Sequence, residues 1–257
     1  MEDIDIKEIV RISKLAGEEI MKIYAQDFEV FEKNDESPLT MADKNANDII
    51  INELISLYPN IPYISEEVKN LDYTERKKWE LCWIIDPLDG TKEFIKKNGE
   101  FTVNIALVKN GKPVLGVVFI PAQNVVFYAS EGKGTFKQIA EEKPILLAKR
   151  KFDTTKNSFK IVASRSHLSK DVELYVEALK KEGKEVEFVS AGSSLKFCLV
   201  AEGKADIYPR LAPTMEWDTA AAHAVCSEVG ISVINYETNE EINYNKENLL
   251  NPFFIVK

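Results

Sequence analysis

Two carboxylates stand three residues apart directly after an apolar run, in the segment DPLDGT over residues 86–91. Pro87 fixes its own φ and Gly90 permits a tight backbone course, so we expect both carboxylates and the Leu88 carbonyl to face one point. Three such hard oxygen donors form the set that Mg²⁺ or Ca²⁺ prefers. Asp-Pro and Asp-Gly are also ordinary turn formers, so the segment alone leaves a plain turn open.

Other acidic side chains precede or follow this turn. Glu66 and Glu67 end a short apolar run, Asp43 stands three residues after Thr40, and Asp218 immediately precedes a helical stretch. Each also has an ordinary interpretation: a solvated surface pair for the glutamates, a capping box for Thr40 and Asp43, and a helix N-cap for Asp218. None of these signals decides the chemistry alone.

Candidate anion-binding residues lie in the second half of the chain. Ser164 and His167 follow a predicted strand, Gly192 precedes a helix whose first N–H groups favour an anion, and Lys196 and Arg210 add positive charge. Together they would suit a second phosphate. Their ordinary interpretations are a surface histidine, a helix cap and two solvated bases.

The composition excludes several classes of protein. The 257 residues are 45% hydrophobic and 29% charged, which is typical of a globular chain. A net charge of −9, from 42 acidic and 33 basic residues, argues against nucleic-acid wrapping. The three cysteines form no C-x-x-C pair and there are only two histidines, so a zinc site is not expected. A P-loop motif is absent.

The N-terminus is acidic, whereas a signal peptide would be basic there. No apolar run reaches the roughly 18 residues that a transmembrane helix needs. These features predict a cytoplasmic protein and leave peripheral membrane association open.

Hydrophobic periodicity predicts which elements position these residues. The first half is predicted to contain a helix from about residue 6 to 23, a second helix opened by Thr40 with Ala46, Ile50, Leu54 and Leu57 as its apolar stripe, and strands over 82–85, 102–108, 114–120 and 124–130. Asn110-Gly111 predicts a tight hairpin. A charged stretch over 149–158 predicts a boundary between subdomains 1–152 and 153–257.

The second half alternates strands and helices, which favours α/β layers. Strands are predicted over 159–163, 185–189, 207–208, 231–236 and 253–256, and helices over 172–179, 195–202 and 219–229. Ser169 is placed to cap the first of these helices.

The motifs taken together resemble the signature of the inositol monophosphatase superfamily, a group of metal-dependent, lithium-sensitive phosphomonoesterases. The resemblance rests on Glu66-Glu67, on residues 86–91 and on Trp217-Asp218-x-Ala220-Ala221. The blocks over 86–106, 163–167, 192–203 and 208–210 are similar to the bacterial 3′(2′),5′-bisphosphate nucleotidases of this superfamily, so the likeness spans nearly the whole chain.

This resemblance implies an α/β fold, the layered α/β/α/β/α sandwich of the inositol monophosphatase and fructose-1,6-bisphosphatase type. Residues 1–152 would form an N-terminal α+β subdomain with most metal ligands. Residues 153–257 would form a C-terminal α/β subdomain with the specificity loops and Asp218. The sequence does not give the oligomeric state; superfamily members are often dimers, so the resemblance leaves a homodimer open.

The resemblance further implies residue roles. Two or three Mg²⁺ ions would be held by Glu66, Asp86, Asp89, Asp218 and the Leu88 carbonyl. Thr91 would orient the attacking water, helped by an acid at Glu66 or Asp43. The positions expected to contact substrate are Glu66, Leu88, Asp89, Gly90, Thr91, Ser164, His167, Gly192, Lys196, Arg210 and Asp218.

The implied activity is Mg²⁺-dependent hydrolysis of a small nucleotide, adenosine 3′,5′-bisphosphate, to AMP and phosphate, as part of sulfur metabolism. One alternative is the same chemistry on inositol monophosphate or fructose 1,6-bisphosphate. A second is a catalytically silent module that binds Ca²⁺ or Mg²⁺. Thr91 argues against the silent module, because a pure binder does not need a water-orienting hydroxyl.

Overall fold

The computed structural model of the chain describes residues 4–26, 38–69, 71–163 and 169–257. Its first helix, α1 (Ile6–Tyr24), begins where the side chain of Asp5 accepts a hydrogen bond from the N–H of Lys7 at 2.9 Å. The helix has a buried apolar stripe that includes Ile9, Ala16, Ile20 and Ile23 at steps of three, four and seven residues. Packing of that stripe, rather than intrinsic propensity, is what stabilises such a helix.

The second helix, α2 (Pro38–Leu57), begins earlier than predicted. Proline suits the first helical position, because its missing N–H would have no partner within the helix there. Thr40 and Asp43 therefore lie inside the helix, and the expected capping box is wrong. Leu57, assigned to the apolar stripe, is the last helical residue and is 40% exposed.

A seven-stranded sheet in the described chain follows sequence order. Its strands are β1 (Tyr63–Ser65), β2 (Leu81–Asp89), β3 (Thr102–Lys109), β4 (Lys112–Ile120), β5 (Val125–Ser130), β6 (Gly134–Ile139) and β7 (Ile145–Leu146). Strands β1 and β2 are parallel, and all other neighbours are antiparallel. The predicted hairpin joins β3 to β4, with φ of 49° at Asn110 and 78° at Gly111.

The other helices are α3 (Tyr73–Arg76), α4 (Thr91–Ile95), α5 (Lys170–Lys181), α6 (Leu195–Ala201) and α7 (Ala220–Ser227). Alternate side chains of β2 serve opposite faces of the sheet. Trp83 and Ile85 pack with α1 and α2, whereas Cys82 and Ile84 pack with α6 and α7. Helix α7 approaches closely at Gly116, where a Cβ would lie 2.1 Å from the carbonyl oxygen of Ala221.

The second half of the chain builds a smaller sheet. Strand β8 (Ser158–Ala163) is parallel to β9 (Glu185–Ser190), and β12 (Phe254–Val256) lies between β10 (Tyr208–Arg210) and β11 (Val233–Asn235). A bridge between Ile161 and Ile207 joins the two groups.

Helix α5 covers the outer face of this sheet through Val172 and Val176. Ser169 caps it as predicted, accepting from the N–H of Val172 at 3.3 Å. Helices α6 and α7 fill the space between the two sheets. The layers therefore run α/β/α/β/α, which confirms the expected fold class.

No helix within residues 4–26, 38–69, 71–163 and 169–257 has the length and apolar character needed to cross a membrane.

Candidate active site

A bulge at the end of β2 brings two acidic side chains together. The register with β3 pairs Asp86 with Asn104 and Asp89 with Thr102, so three steps on β2 match two on β3. In a regular strand, residues three apart face opposite sides of the sheet. The extra residue removes that alternation. Leu88, inside the bulge, buries its side chain in the core beneath α1 and α2.

Asp218 completes the cluster from the second half of the chain. Carboxylate oxygens of Asp86, Asp89 and Asp218 all lie within 4.8 Å of one another. The residue at the N-cap of α7 is Thr219, so the N-cap interpretation of Asp218 is wrong. Instead, Asp218 Oδ2 accepts from the N–H of Met215 at 2.9 Å, which folds the preceding turn back on itself.

Glu66 and Asp43 lie beside this cluster. The parallel register of β1 and β2 places Ser65 next to Ile85, and the N–H of Glu66 continues the ladder to the carbonyl oxygen of Ile85 at 3.3 Å. Glu66 therefore reaches the same end of the sheet as Asp86. Asp43 is contributed by α2. Burial, and then the charges of Glu67 and Glu66, raise the pKa of Asp43 to about 8.

The clustered carboxyl groups disfavour one another's ionisation. Burial and the charge of Asp89 raise the pKa of Asp218 to about 7 and that of Glu66 to about 7. Burial, and then the charges of Asp89 and Glu66, raise the pKa of Asp86 well above its usual range. Charge repulsion of this kind is removed by a bound cation.

The donors present fit a divalent metal ion. Among the described residues, Asp86 Oδ2 and Asp43 Oδ1 are buried without a hydrogen-bond partner, and such oxygens are costly unless a cation meets them. Carboxylate oxygens are the ligands that Mg²⁺ and Ca²⁺ prefer. The cluster of Asp86, Asp89 and Asp218 is therefore chemically suited to hold such an ion.

The N–H groups at the start of α6 are predicted to bind an anionic group of the substrate. Instead, Asp89 Oδ2 accepts from the N–H of Ser194 at 2.7 Å and from its hydroxyl at 2.9 Å. No local pattern in the sequence predicts this contact, because the two residues are 105 positions apart. Gly192 lies where a Cβ would be 2.5 Å from Cγ of Glu93, so it permits close packing against α4.

Gly90 and Thr91 connect the bulge to α4. Gly90 has φ of 101°, and a Cβ there would lie 3.2 Å from both Cα of Phe101 and Cβ of Ser193. A larger residue would be strained at this position as well as crowded. Thr91 is exposed as the first residue of α4, two positions after Asp89.

A cavity of about 230 Å³ opens beside Asp89 and Asp218, with basic side chains on its wall. Lys196 is only 8% exposed, with Nζ 5.7 Å from the ring centroid of Tyr208. Arg210 Nη2 donates to the carbonyl oxygen of Pro213 at 2.9 Å. Lys196 is therefore not a solvated surface base, and both cations face the cavity that the carboxylates line. Ser164 and His167 lie outside the described residues.

Several residues of types that are often catalytic lie buried in the protein interior instead. His223 Nδ1 lies 3.0 Å from the Tyr244 hydroxyl, and burial lowers the pKa of His223 to about 3. Glu216 is fully buried and accepts hydrogen bonds from the N–H groups of Asn245 and Lys246. The three cysteines are buried and form no disulfide.

Comparison with known proteins agrees with this geometry. The model of the inositol monophosphatase family matches residues 4–252. The chain is 42% identical over 254 residues, 98% of each chain, to the 3′(2′),5′-bisphosphate nucleotidase CysQ of Salmonella typhimurium and to that of Escherichia coli K12.

Solved structures show the same likeness. The crystal structure of CysQ from Bacteroides thetaiotaomicron, a bacterial member of that family, is 45% identical with a TM-score of 0.86, covering 98% of this chain and 96% of that one. Inositol monophosphatase II from Staphylococcus aureus shares the fold at 21% identity and a TM-score of 0.78, over 98% of this chain and 87% of that one.

Proposed function

The chain belongs to the inositol monophosphatase family, and we propose that it removes the 3′-phosphate of adenosine 3′,5′-bisphosphate, giving AMP and phosphate. It is a 3′(2′),5′-bisphosphate nucleotidase, the activity named for relatives that match it over nearly their whole length. We place this activity in sulfur assimilation and in recycling of that nucleotide. The corresponding location is cytoplasmic, and a homodimer stays a prediction.

One observation supports the bisphosphate substrate more than any other. A single cavity is lined both by the carboxylates of Asp89 and Asp218 and by the cations Lys196 and Arg210. A monophosphate held through a metal ion at these carboxylates would have no second phosphate to meet the cations. A second phosphate is the kind of group that a partly buried ammonium and a guanidinium bind through charge-assisted hydrogen bonds.

Family members use divalent metal ions, and for this chain we propose two or three Mg²⁺ ions. Glu66, Asp86, Asp89, Asp218 and the carbonyl of Leu88 would hold them. Bound metal would offset the repulsion between these carboxylates and the phosphate dianion and would lower the pKa of a water molecule toward neutrality.

The chain's own residues would then orient and deprotonate that water. The exposed hydroxyl of Thr91 stands at the start of α4, two residues from Asp89, where it would position the water for attack on phosphorus. Glu66 or Asp43 would accept its proton. In the metal-free protein the pKa values of these carboxyl groups are raised to about 7 and about 8, respectively. Bound metal would lower them, so that either group would be ionised and able to accept the proton.

Substrate selection would lie in the second half of the chain. Lys196 and Arg210 would bind the 5′-phosphate, with Ser164, His167 and Gly192 beside the nucleoside. Gly90 would allow close approach of the substrate to the metal-binding turn, because it carries no side chain at a crowded position.

A phosphate-release assay with purified protein and Mg²⁺ tests this proposal. We expect kcat/KM for adenosine 3′,5′-bisphosphate to exceed that for inositol monophosphate by roughly tenfold or more, because charge-assisted contacts contribute about 1.5–3 kcal/mol each. Turnover of fructose 1,6-bisphosphate in the same assay tests whether a second phosphate alone, without a nucleoside, is enough for efficient hydrolysis. Faster turnover of either competitor would contradict the nucleotide assignment, and Mg²⁺ binding without turnover would indicate the silent module.

A further inference from the structure

Ser194 occupies the N-cap position of α6 but does not cap that helix. A serine at an N-cap normally accepts a hydrogen bond from an N–H in the first helical turn. Here the side chain makes no such bond. The residue is 1% exposed and is absent from the wall of the cavity beside Asp89. Its hydroxyl therefore neither caps the helix nor lines the cavity in which substrate would bind.

The hydroxyl of Ser194 is the meeting point of three segments. It lies 2.9 Å from Asp89 Oδ2 and 2.8 Å from the carbonyl oxygen of Asp218, and it accepts from Asn104 Nδ2 at 3.0 Å. The N–H of the same residue donates to Asp89 Oδ2 at 2.7 Å. One serine thus connects the end of β2, the middle of β3 and the turn before α7.

This arrangement fixes two acidic residues that the chain brings from distant positions. Asp89 ends β2, whereas Asp218 belongs to a turn in the second half. The N–H of Ser194 donates to Oδ2 of Asp89, and the single hydroxyl proton lies within reach of both that oxygen and the carbonyl oxygen of Asp218. Rotation of the carboxylate would therefore break its contacts with both groups of Ser194. Since the same hydroxyl contacts the backbone of Asp218, the spacing between the two acids depends on it.

We propose that Ser194 is a positioning residue of the metal centre, which sets the orientation of Asp89 and its separation from Asp218. The inference rests on the proposed function only in taking these two aspartates as metal ligands. Partners of metal ligands are known to affect the centre strongly: losing one costs roughly 10–100-fold in metal affinity or activity.

The test compares Ser194→Ala with Ser13→Ala. Ser13 is a matched control, because its buried hydroxyl donates to the carbonyl oxygen of Val10 within α1, outside the cluster. Calorimetric titration of each metal-free protein with Mg²⁺ gives the affinity without any substrate. We expect Ser194→Ala to bind Mg²⁺ roughly 10–100-fold more weakly and Ser13→Ala to bind it like wild type.

Ser194→Cys separates the hydrogen bonds from the space that the side chain fills. A thiol is close to a hydroxyl in shape but is a weak donor, so we expect its Mg²⁺ affinity to fall as well. In turnover of adenosine 3′,5′-bisphosphate at matched Mg²⁺, kcat should fall while KM changes by less than about twofold, because Ser194 does not line the cavity.

Two results would overturn the inference: Mg²⁺ affinity of Ser194→Ala within about threefold of wild type, or an equal loss in Ser13→Ala. An unchanged affinity in Ser194→Cys would do so too, because packing alone would then explain the alanine variant. If wild type binds Mg²⁺ and Ser194→Ala does not, yet wild type fails to hydrolyse the nucleotide, the positioning role stands and the proposed function falls.

Discussion

Burial raises the pKa of the Asp89 carboxyl, and the ammonium of Lys196, on the wall of the same cavity, opposes that rise. The two residues lie at the junction between the acidic cluster and the cationic part of the cavity. Lys196 is therefore the residue that we propose to contact a second phosphate, and it stands close enough to influence Asp89, a proposed metal ligand. Substitution at this position distinguishes the two effects.

Lys196→Ala should reduce kcat/KM for adenosine 3′,5′-bisphosphate by roughly ten- to a hundredfold, since a charge-assisted hydrogen bond contributes about 1.5–3 kcal/mol. The loss should appear mainly in KM if the contact is equal in ground and transition states. Slow turnover of nitrophenyl phosphate, which has no second phosphate, should change little. Lys204→Ala, at an exposed lysine paired with Glu202, is the control. Equal losses on both substrates would place Lys196 in the catalytic machinery.

Asp86→Asn should lower kcat by several orders of magnitude and leave the fold intact. The carboxylate is fully buried within the acidic cluster, so its removal takes away a proposed metal ligand and also relieves repulsion. The metal-free variant should therefore be slightly more stable than metal-free wild type, as measured by thermal unfolding. Asp48→Asn, at an exposed position on α2, serves as the control. Activity within about tenfold of wild type would contradict the metal-ligand assignment.

The sequence predicted the parts of this structure that depend on local patterns. The stripe from Ile9 to Ile23, the Asn110-Gly111 hairpin and the Ser169 cap each follow from neighbouring residues, and each is present. The acidic motifs named Asp86, Asp89 and Asp218, whose carboxylates the fold brings within 4.8 Å of one another, and their roles as metal ligands stay predictions. Strand β1 has three residues and β7 has two, which is too short for a periodic signal.

What the sequence could not predict depends on contacts between distant segments. The bond from Ser194 to Asp89 spans 105 positions, and nothing near either residue requires it. Thr40 carried a capping signal, but a proline two residues earlier already suits the first turn of α2. Glu216 illustrates the same limit, because its partners lie about thirty positions later in the chain.

The metal-free protein should lose stability as the pH rises from about 5 to about 8. Asp43 and Asp218 have pKa values raised from 3.8 to about 8 and about 7 in the folded protein. The folded state therefore holds protons that the unfolded state releases, so their stabilisation is full below the unfolded pKa and is lost as the pH passes through the folded values.

In EDTA, we expect the Tm to fall by about 5 °C or more over this range, since each kcal/mol corresponds to roughly 2–4 °C for a chain of this size. Saturating Mg²⁺ should remove most of the decline, because ligand binding stabilises the ionised cluster. Asp218→Asn should flatten the profile. A Tm that rises with pH in EDTA would show that the cluster is not protonated in the folded state.

Lys246→Ala should destabilise the fold without impairing the chemistry. Lys246 Nζ lies 2.5 Å from Oε1 of the fully buried Glu216, and its loss leaves that carboxylate with main-chain donors only. Removing one member of a buried ion pair costs about 3–5 kcal/mol, and the remaining N–H groups place this case near the lower end. Denaturant unfolding measures the loss, and kcat of the folded variant should stay within about twofold of wild type. Lys78→Ala breaks an exposed pair with Glu75 and should cost less than about 1 kcal/mol. Equal losses in the two variants would mean that the protein gains no more from the buried pair than from an exposed one.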